Sequence, residues 1–420
     1  MAQTILEEKK KSRLMTEGSI WKSILLFSVP LILGNMLQQL YNTADSIIVG
    51  NFVGSNALAA VGSSGSPIFL LIGFSQGIAV GAGVVVSQFL GAKDREGAHT
   101  AVHTSLALSA ILGAILTVCG IAVSRALLTA MNTPAEVLED AVLYMRLYFG
   151  GVLFSVVYNM AAGILNAAGN SKRSLLYLGA ASITNIVLDL VLIAGCKMGV
   201  AGAAIATVAA QLISTVACFI YAFAKYPQLR LHREDMRITR GDIRRHVVQG
   251  VPLGLQFSVL AIGIIVMQGV VVQFDMLDGV MVSSSAQMGF GAANKLSSLT
   301  ATPMNALGTA MTSFTAQNLG AGNHDRIRRG ALQALGMMAI IAVAAVSCGL
   351  LLTLNNTYLH IFLSADKITA DTIRFGNTFL YVDYSMYLFL GCVFITRNCV
   401  QGIGRSQFVL GAGAAELVAR

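Results

Sequence analysis

The sequence predicts an all-α membrane protein that crosses the bilayer many times and folds as two pseudo-symmetric six-helix lobes. Of its 420 residues, 55% are hydrophobic and 11% are charged, and the mean hydropathy is +0.71. A soluble protein carries about 25% charged residues, so this chain lacks an ordinary aqueous surface. Long apolar stretches, and a set of motifs that recurs in the second half, are the other two observations behind the prediction.

Apolar windows of about 20 residues are long enough to cross a bilayer. They predict ten complete transmembrane helices and the start of an eleventh, at about residues 21–50, 57–90, 97–124, 138–168, 174–195, 199–224, 246–274, 281–319, 330–354, 371–401 and from 406 onward. The alternation typical of barrel strands does not occur, and helices satisfy their own backbone hydrogen bonds in lipid. Residues 1–20 form a basic tail before the first span.

The basic residues predict the orientation of the spans. The tail and the loops on its side of the membrane carry nineteen lysines and arginines, whereas the opposite loops carry Arg125, Lys197 and Lys367. Basic loops face the cytoplasm, so we expect a cytoplasmic N-terminus and a multi-pass protein of a bacterial plasma membrane. Membrane topology thus accounts for the net charge of +8, and a nucleic-acid partner is not expected.

The two halves of the chain resemble each other on either side of a basic loop at 225–245. Three motif pairs carry the resemblance: Pro30 with Pro252, Gln88-Phe-Leu-Gly-Ala with Gln317-Asn-Leu-Gly-Ala, and Ala168-Gly-Asn-Ser with Ile403-Gly-Arg-Ser. Their offsets rise slowly along the chain, as small insertions require. The repeats therefore run in parallel, which is typical of secondary transporters that hold a substrate between two lobes. We expect an N-lobe at 21–224 and a C-lobe at 246–420. Because the C-lobe has four spans and a partial fifth, the symmetry predicts a C-terminally truncated product.

Carboxylates inside the spans are the strongest functional signal, because a charged side chain at bilayer depth costs about 2.5–3.5 kcal/mol on insertion scales. Asp45 and Asp189 lie roughly 8 and 9 Å below the outer membrane boundary, at 1.5 Å per helical residue. Asn185 lies one turn below Asp189, and Thr207 lies about 12 Å deep in the sixth span. These four side chains predict a site for a small cation or a proton. The alternative is that both acids only hydrogen-bond to neighbouring helices for packing.

Two other features inside the spans could take part in transport. Asp383 lies near the middle of the tenth span, where an ion pair would make it structural; the candidate partners are Lys295, Arg374 and Arg397. Pro30 and Pro252 each lie near the cytoplasmic end of the span that opens their half. A proline removes a helix hydrogen bond and permits bending, although a static kink fits the sequence equally well.

No pattern in the sequence indicates an enzyme. The six cysteines form no C-x-x-C pair, and neither a Walker motif nor a nucleophile elbow occurs. His99 and His103 are four residues apart at the inner end of the third span, without the glutamate of a zinc-protease motif. We therefore expect no catalytic residue, and interfacial histidines rather than a metal site.

Three segments make the sequence recognisable. The first span runs from Pro30 through Gln38-Gln-Leu-Tyr41-Asn42-Thr-Ala-Asp45-Ser-Ile-Ile-Val-Gly50, the fifth contains Asn185-Ile-Val-Leu-Asp189, and the sixth opens with Gly199-Val-Ala-Gly-Ala-Ala-Ile-Ala-Thr207. In this order, and with the plan of six plus six helices, they resemble the multidrug and toxic compound extrusion (MATE) family, and its DinF-like prokaryotic branch most closely. The resemblance covers essentially the whole chain.

The resemblance implies a secondary antiporter that exports cationic amphiphilic drugs or toxins in exchange for H⁺ or Na⁺ by alternating access. It implies cation coupling at the four polar residues selected above, and a substrate cavity or gate that involves Pro30, Gln38, Tyr41, Asn42 and Asp383. The expected partners are small organic cations and the lipid bilayer. No cofactor besides the coupling ion, no metal besides Na⁺ and no obligate protein partner is expected, so the protein should act as a monomer.

Two comparisons within the superfamily narrow this expectation. Another MATE branch uses a glutamate in the seventh helix, but residues 256–266 contain no acid. A C-lobe cation site of that type is therefore not expected, and Asp383 is its only remnant candidate.

The alternative function is a flippase for lipids or lipid-linked oligosaccharides, which would line its cavity with basic residues. The N-lobe spans offer only Arg146 and the peripheral Lys22 for that role.

Overall fold

The computed structural model describes residues 14–131, 133–225, 238–277, 280–281, 283–363 and 367–419. Most of the predicted basic tail and of the loop at 225–245 lies outside them. In the described ranges the first half contains the helices α1 (Ile20–Phe52), α2 (Ser55–Gly91), α3 (Arg95–Ala130), α4 (Ala135–Gly150), α5 (Val152–Ala167), α6 (Ser171–Asp189) with a π-helical segment at Leu190–Gly195, and α7 (Gly199–Lys225). The second half contains α8 (Arg240–Gln273), the antiparallel pair β1 (Met276–Leu277) and β2 (Val280–Met281), α9 (Ser285–Gly320), α10 (His324–Leu354), α11 (Thr357–Phe362), α12 (Ala370–Ser385), α13 (Tyr387–Ile403) and α14 (Ser406–Ala419). The all-α prediction is confirmed.

Half of these helices are individually long and apolar enough to cross a membrane. Seven described helices meet that description, and the bent pairs α4–α5 and α12–α13 raise the number to nine if each pair is one span. Helix α9 occupies the predicted eighth span and has 36 residues, but it is rich in serine and threonine. More than half of its residues are buried, because α1, α2, α10, α12 and α13 pack around it. It therefore faces protein rather than lipid and does not need an apolar surface. Helix α14, in the predicted eleventh span, has 14 residues.

Large apolar side chains cover the outside of the bundle. Val118 on α3 is 69% exposed, and Ile340 and Leu351 on α10 are 72% and 68% exposed. Such a surface would be unstable in water, where exposed apolar area is unfavourable, but it suits a hydrocarbon environment. The composition that excluded a soluble protein is therefore explained by the helix faces that contact lipid.

Each lobe is built around its second helix. In the N-lobe α2 packs against α3, α4 and α5, and in the C-lobe α9 packs against α10, α12 and α13. The first helix of each lobe packs across the seam between the lobes, so that α1 lies against α9 and α8 lies against α2. A parallel internal repeat predicts this reciprocal packing, in which the first helix of each lobe contacts the second helix of the other.

Glycines allow α2 and α8 to approach each other closely. Gly77 faces Gly254 and Gly81 faces Gly250, and a Cβ atom on Gly77 or Gly81 would overlap the backbone of the facing glycine. Interfaces of this kind are common between membrane helices, because small residues let two backbones pack directly. Four of the glycines thus let the lobes pack directly against each other.

The two bent spans occupy equivalent positions in the repeat. Helices α4 and α5 meet at an angle of 50° and α12 and α13 at 54°. The breaks lie at Gly151 and Met386, and these two positions are offset along the chain by the same amount as the third motif pair. Both lobes therefore bend their fourth span at the same point.

Helix α8 begins six residues earlier than the predicted start at 246. The cause is a capping box, in which the backbone N–H of Asp242 donates to the Thr239 hydroxyl at 3.2 Å and the Asp242 carboxylate accepts from the backbone N–H of Thr239 at 3.0 Å. Part of the predicted inter-lobe loop is therefore helical. Helices α1, α3, α6, α8, α10 and α14 all begin at the end of the bundle that carries most of the basic residues, which we call the basic end.

Candidate functional site

Four polar side chains predicted from the sequence come together in the N-lobe. Asp45 lies on α1, Asn185 and Asp189 lie one turn apart on α6, and Thr207 lies on α7. Asp189 is 0% exposed and Asn185 is 3% exposed. The amide of Asn185 donates to the Thr207 hydroxyl at 3.4 Å, and that hydroxyl donates to the backbone carbonyl of Ala203 at 3.0 Å. The group therefore joins three helices of one bundle.

The carboxyl groups of Asp45 and Asp189 lie close enough to interact, although no described group donates a hydrogen bond to either oxygen of Asp189. An ionised carboxylate is an acceptor only, so two ionised groups at this range would repel each other. A shared proton or a cation between them removes that repulsion. The geometry can therefore hold one positive charge.

Several oxygens around this pair have no hydrogen-bond partner among the described residues, although they are buried. They are Asp45 Oδ1, Asn185 Oδ1, Asp189 Oδ1, Asp189 Oδ2 and Gln211 Oε1. An unsatisfied buried polar atom costs about 1–3 kcal/mol, and such atoms are rare in native proteins. A cluster of oxygens is also the ligand set that hard cations prefer. The residues thus fit a proton or a small cation, and nothing in their chemistry requires a transition metal.

A change of helix type follows Asp189 directly. The α-helical hydrogen bonds of α6 end there, and Leu190–Gly195 continues as a π-helix, in which the Cys196 N–H donates to the Val191 carbonyl at 2.8 Å. Single π-helical turns occur frequently at functional sites. The wider turn begins at the residue that supplies the buried acid, and the sequence contains no signal that predicts it.

Two tyrosines on α4 belong to the site, although the sequence analysis missed them. Tyr144 is 6% exposed and lies close to both acids, and its ring stacks on Tyr148 with a centroid distance of 6.2 Å. The residues are four apart and so share one helix face. Their spacing within Tyr144-Met-Arg-Leu-Tyr148 was a visible signal, but tyrosine is also an ordinary core residue.

A cavity of about 330 Å³ lies one helical turn from the site. Its lining includes Tyr41, one turn before Asp45, and Gln211, one turn after Thr207, but none of the four site residues themselves. Amide, hydroxyl and aromatic side chains dominate its polar lining, and none of its lining residues is charged: Pro30, Leu31, Gly34, Asn35, Gln38, Tyr41, Ile72, Gln76, Ala79, Val80, Tyr148, Ser155, Tyr158, Asn159, Ala162, Gly163, Asn166, Ser174, Leu175, Leu178, Gln211, Phe257 and Thr309. The last two belong to the C-lobe, so the cavity lies at the seam.

The structure distributes the expected cavity and gate residues over three locations. Pro30, Gln38 and Tyr41 line the cavity, and α1 continues as one helix through Pro30. Asn42 is exposed and does not line it. Asp383 lies in the C-lobe, apart from the N-lobe acids.

Asp383 interacts with hydroxyl groups. It accepts a hydrogen bond from Ser297 Oγ at 2.6 Å, and the Tyr387 hydroxyl lies 3.3 Å from Ser297 Oγ and 2.8 Å from Thr300 Oγ1. Among the described side chains no lysine or arginine forms an ion pair with it, so the three pairings considered from the sequence do not form. It remains a half-buried acid in a polar cluster of its own.

Comparisons with known proteins identify the family of this chain. A family model described as MatE matches residues 30–191 and 263–419. The probable multidrug resistance protein YoeA of Bacillus subtilis is 29% identical over 394 residues, which cover 93% of this chain and 82% of that protein. An FAD transporter of Shewanella oneidensis is 27% identical over 337 residues, which cover 78% of this chain and 71% of that protein.

Solved structures give the same assignment. The outward-facing structure of a multidrug resistance MATE family transporter of the MOP superfamily matches with a TM-score of 0.87 at 25% identity, covering 98% of this chain and 88% of that chain. A MOP superfamily transporter from Pyrococcus furiosus, described as having a binding pocket of reverse polarity, matches equally well, with a TM-score of 0.87. The family model covers well over half of the residues, and the two-lobe fold is shared. The chain therefore belongs to the MATE family of membrane transporters.

Proposed function

We propose that this protein exports cationic amphiphilic drugs or toxins in exchange for H⁺ or Na⁺. The observation that carries the proposal is the pair of half-buried Asp45 and buried Asp189, whose buried oxygens have no partner among the described residues and which lies one helical turn from a cavity that reaches both lobes. Several relatives, YoeA among them, are named as multidrug resistance or multidrug export proteins, which supports a drug as the cargo.

In the proposed cycle the cavity and the acid pair are used alternately. A cationic substrate enters between the lobes from the cytoplasm or the inner leaflet and is released outside. A proton or Na⁺ then binds at Asp45 and Asp189 from the outside and returns the lobes to the inward-open state. The pair is suited to this role because two neighbouring carboxylates repel each other, and one bound proton or one Na⁺ relieves that repulsion. Asn185 and Thr207 would supply further oxygens to Na⁺.

The orientation follows from the basic residues. With the basic end in the cytoplasm of a bacterium, as the distribution of lysines and arginines predicts, the membrane potential favours inward movement of the coupling ion. One charge that crosses 100 mV releases about 2.3 kcal/mol. Because a cationic cargo carries positive charge outward, the potential drives the exchange only when more positive charge enters than leaves, and a one-for-one exchange of monovalent cations is driven by the concentration gradients alone. The cycle needs the bilayer and the coupling ion, without a resident cofactor or a second protein.

The lining of the cavity favours a cationic cargo over an anionic one. Tyr41, Tyr148, Tyr158 and Phe257 present aromatic rings, whose faces attract cations. A flippase for a lipid-linked pyrophosphate, or a transporter of FAD such as the Shewanella relative is named, needs basic groups against the phosphates. No lysine or arginine lines this cavity.

Proteoliposomes with separately imposed pH and Na⁺ gradients test the proposal. Ethidium should be transported when one of the two gradients is present and not when both are absent. FAD should not be transported under either gradient. Transport of FAD but not ethidium, or ethidium movement that ignores both gradients, would overturn the assignment.

A further inference from the structure

The two Gln-x-Leu-Gly-Ala motifs meet at the basic end and form hydrogen bonds across the seam. The side-chain amide of Gln88 on α2 donates to the backbone carbonyl of Gly402 on α13 at 3.2 Å. The side-chain amide of Gln317 on α9 donates to the backbone carbonyl of Ala167 on α5 at 2.9 Å. Each bond joins one lobe to the other.

The two bonds are related by the internal repeat. Gln317 is the counterpart of Gln88 in the second motif pair, and Gly402 is the counterpart of Ala167, since each immediately precedes its member of the third motif pair. Each lobe therefore supplies one donor and one acceptor. A two-fold contact of this kind is self-complementary, since the same surface serves on both sides.

The glycines of the same motifs reinforce the contact. A Cβ atom on Gly91 would overlap the backbone carbonyl oxygen of Gln317, and a Cβ atom on Gly320 would overlap that of Gln88. The two motif backbones thus touch directly, and each glycine makes room for the backbone of the other glutamine. Larger residues at either position would hold the lobes apart.

The contact lies where the cavity ends on the side of the basic end. On α2 the last lining residue is Val80, eight residues before Gln88, and on α9 it is Thr309, eight residues before Gln317. On α5 the cavity extends to Asn166, which immediately precedes the acceptor Ala167. Gln317 is 0% exposed, so its bond is shielded from water.

We propose that Gln88 and Gln317 are gating residues, and that their reciprocal bonds form a latch that closes the basic end of the cavity in this conformation. When the lobes separate at that end, both bonds break together and the glycine contacts open. This proposal rests on the alternating-access cycle proposed above. It assigns a role in that cycle to motifs that lie outside the cation site and outside the cavity.

The distance between the lobes at the basic end is the measurement that tests the latch. Glu96→Cys on α3 and Asp325→Cys on α10, in a chain whose six native cysteines are replaced, provide two exposed, symmetry-related positions for spin labels. Pulsed electron paramagnetic resonance in proteoliposomes then gives the populations of the closed and open states. The variants are Gln88→Met, Gln317→Met and the double variant, in which the side chain keeps its length and loses the amide.

Gln249→Met is the matched control. Gln249 lies in the same layer on α8 and donates to the Gly404 carbonyl at 2.5 Å, and it accepts from the Ser406 hydroxyl at 2.6 Å. Both partners belong to the C-lobe, so this variant loses two hydrogen bonds within one lobe and none between the lobes. A net hydrogen bond of ordinary strength changes an equilibrium about five-fold. We expect each latch variant to raise the open-to-closed ratio by that factor, the double variant to raise it further, and the control to leave it unchanged.

A second pair of variants tests the latch without removing a hydrogen bond. Gly91→Ala should favour the open state by steric overlap, whereas Gly65→Ala on the same helix meets no atom within 4 Å and should not. The latch is overturned if the double glutamine variant and Gly91→Ala both keep the parent's distance distribution, or if the two controls shift it equally. If the distances shift as expected but ethidium is not transported, the latch stands and the proposed cargo or coupling fails.

Discussion

The Asp45 carboxyl group on α1 lies close to the Asp189 carboxyl group on α6, although the two residues are far apart in the chain. The proposed coupling site depends on this proximity, which argues against two independent packing interactions. If each acid only satisfied a neighbouring hydroxyl, it would face that hydroxyl, and both oxygens of Asp189 would have partners. Instead both are buried without one among the described residues.

Asp189→Asn should abolish coupled transport. The amide cannot take up a proton, and it removes one of the two negative charges that attract a cation, so we expect ethidium efflux to fall at least about tenfold, which corresponds to roughly 1.4 kcal/mol. The variant should keep its thermal unfolding temperature, because loss of a buried charge does not weaken packing. Asp383→Asn, a half-buried acid of the other lobe, is the control and should retain most efflux. Wild-type efflux by Asp189→Asn would exclude this residue from coupling.

Asp45→Asn should flatten the dependence of transport on the coupling ion. With one acid left, the site no longer needs a shared positive charge to relieve repulsion between two carboxylates. Initial rates of ethidium transport measured across a series of external pH values, and then across a series of Na⁺ concentrations, would detect the change. A slope equal to that of the parent in both series would show that Asp45 does not take part.

The sequence was sufficient for the acid pair but not for its surroundings. Depth along a helix depends only on residue number, so Asp45 and Asp189 could be assigned to similar depths, with Asn185 one turn below Asp189, without a structure. Tyr144 and the π-helical turn after Asp189 depend on how α4 and α6 pack, which no local pattern records. The length and polarity of α9 show the same limit, because hydropathy assumes a lipid neighbour while this helix is surrounded by protein.

The Gln-x-Leu-Gly-Ala motifs show a different limit. Their repetition was visible in the sequence and established the internal symmetry. Their role was not visible, because the acceptors Gly402 and Ala167 lie on other helices and contribute only backbone carbonyls, which have no sequence signature. The pairing becomes apparent only when the lobes are seen together.

Charges of opposite sign introduced at Gln76 should change the apparent affinity for cationic substrates in opposite directions. Gln76 lies on α2 and lines the cavity, whose lining residues are uncharged. Gln76→Lys adds a like charge for an organic cation and should raise the KM for ethidium about tenfold or more, whereas Gln76→Glu should lower it. The KM of each variant is measured from the dependence of the transport rate on the ethidium concentration. If KM moves in the same direction in both, charge complementarity does not select the cargo.

Gly81→Ala should destabilise the contact between α2 and α8. A Cβ atom on Gly81 would overlap the backbone of Gly250, which cannot move without shifting a whole helix. We expect a loss of about 1–3 kcal/mol, typical of overpacking, seen as a lower unfolding temperature in detergent. Gly62→Ala on the same helix meets no atom within 4 Å and should be neutral or slightly stabilising, since alanine is the better helix former. Equal melting temperatures for the two variants would contradict the close approach.

Arg326 should hold the segment that precedes α1 against the C-lobe. Its guanidinium donates to the carbonyls of Met15, Glu17 and Gly18 at 3.2, 3.0 and 2.9 Å, and Met15 is 3% exposed. The Met15 N–H also donates to the side-chain carbonyl of Gln317 at 2.7 Å, so this segment contacts a latch residue directly.

Arg326→Gln should therefore release the segment locally while leaving the bundle folded. Hydrogen bonds from a charged donor contribute about 1.5–3 kcal/mol each when shielded, and less here because Arg326 is partly exposed. Hydrogen exchange followed by mass spectrometry should show protection lost at Met15 and in the first turn of α1, with the helices of both lobes unchanged. Arg329→Gln, an exposed arginine one turn further along α10, is the control. If both variants keep the parent's protection at Met15, the three carbonyl contacts do not hold the segment, and its attachment must come from the burial of Met15 and its hydrogen bonds with Gln317 and Asn318.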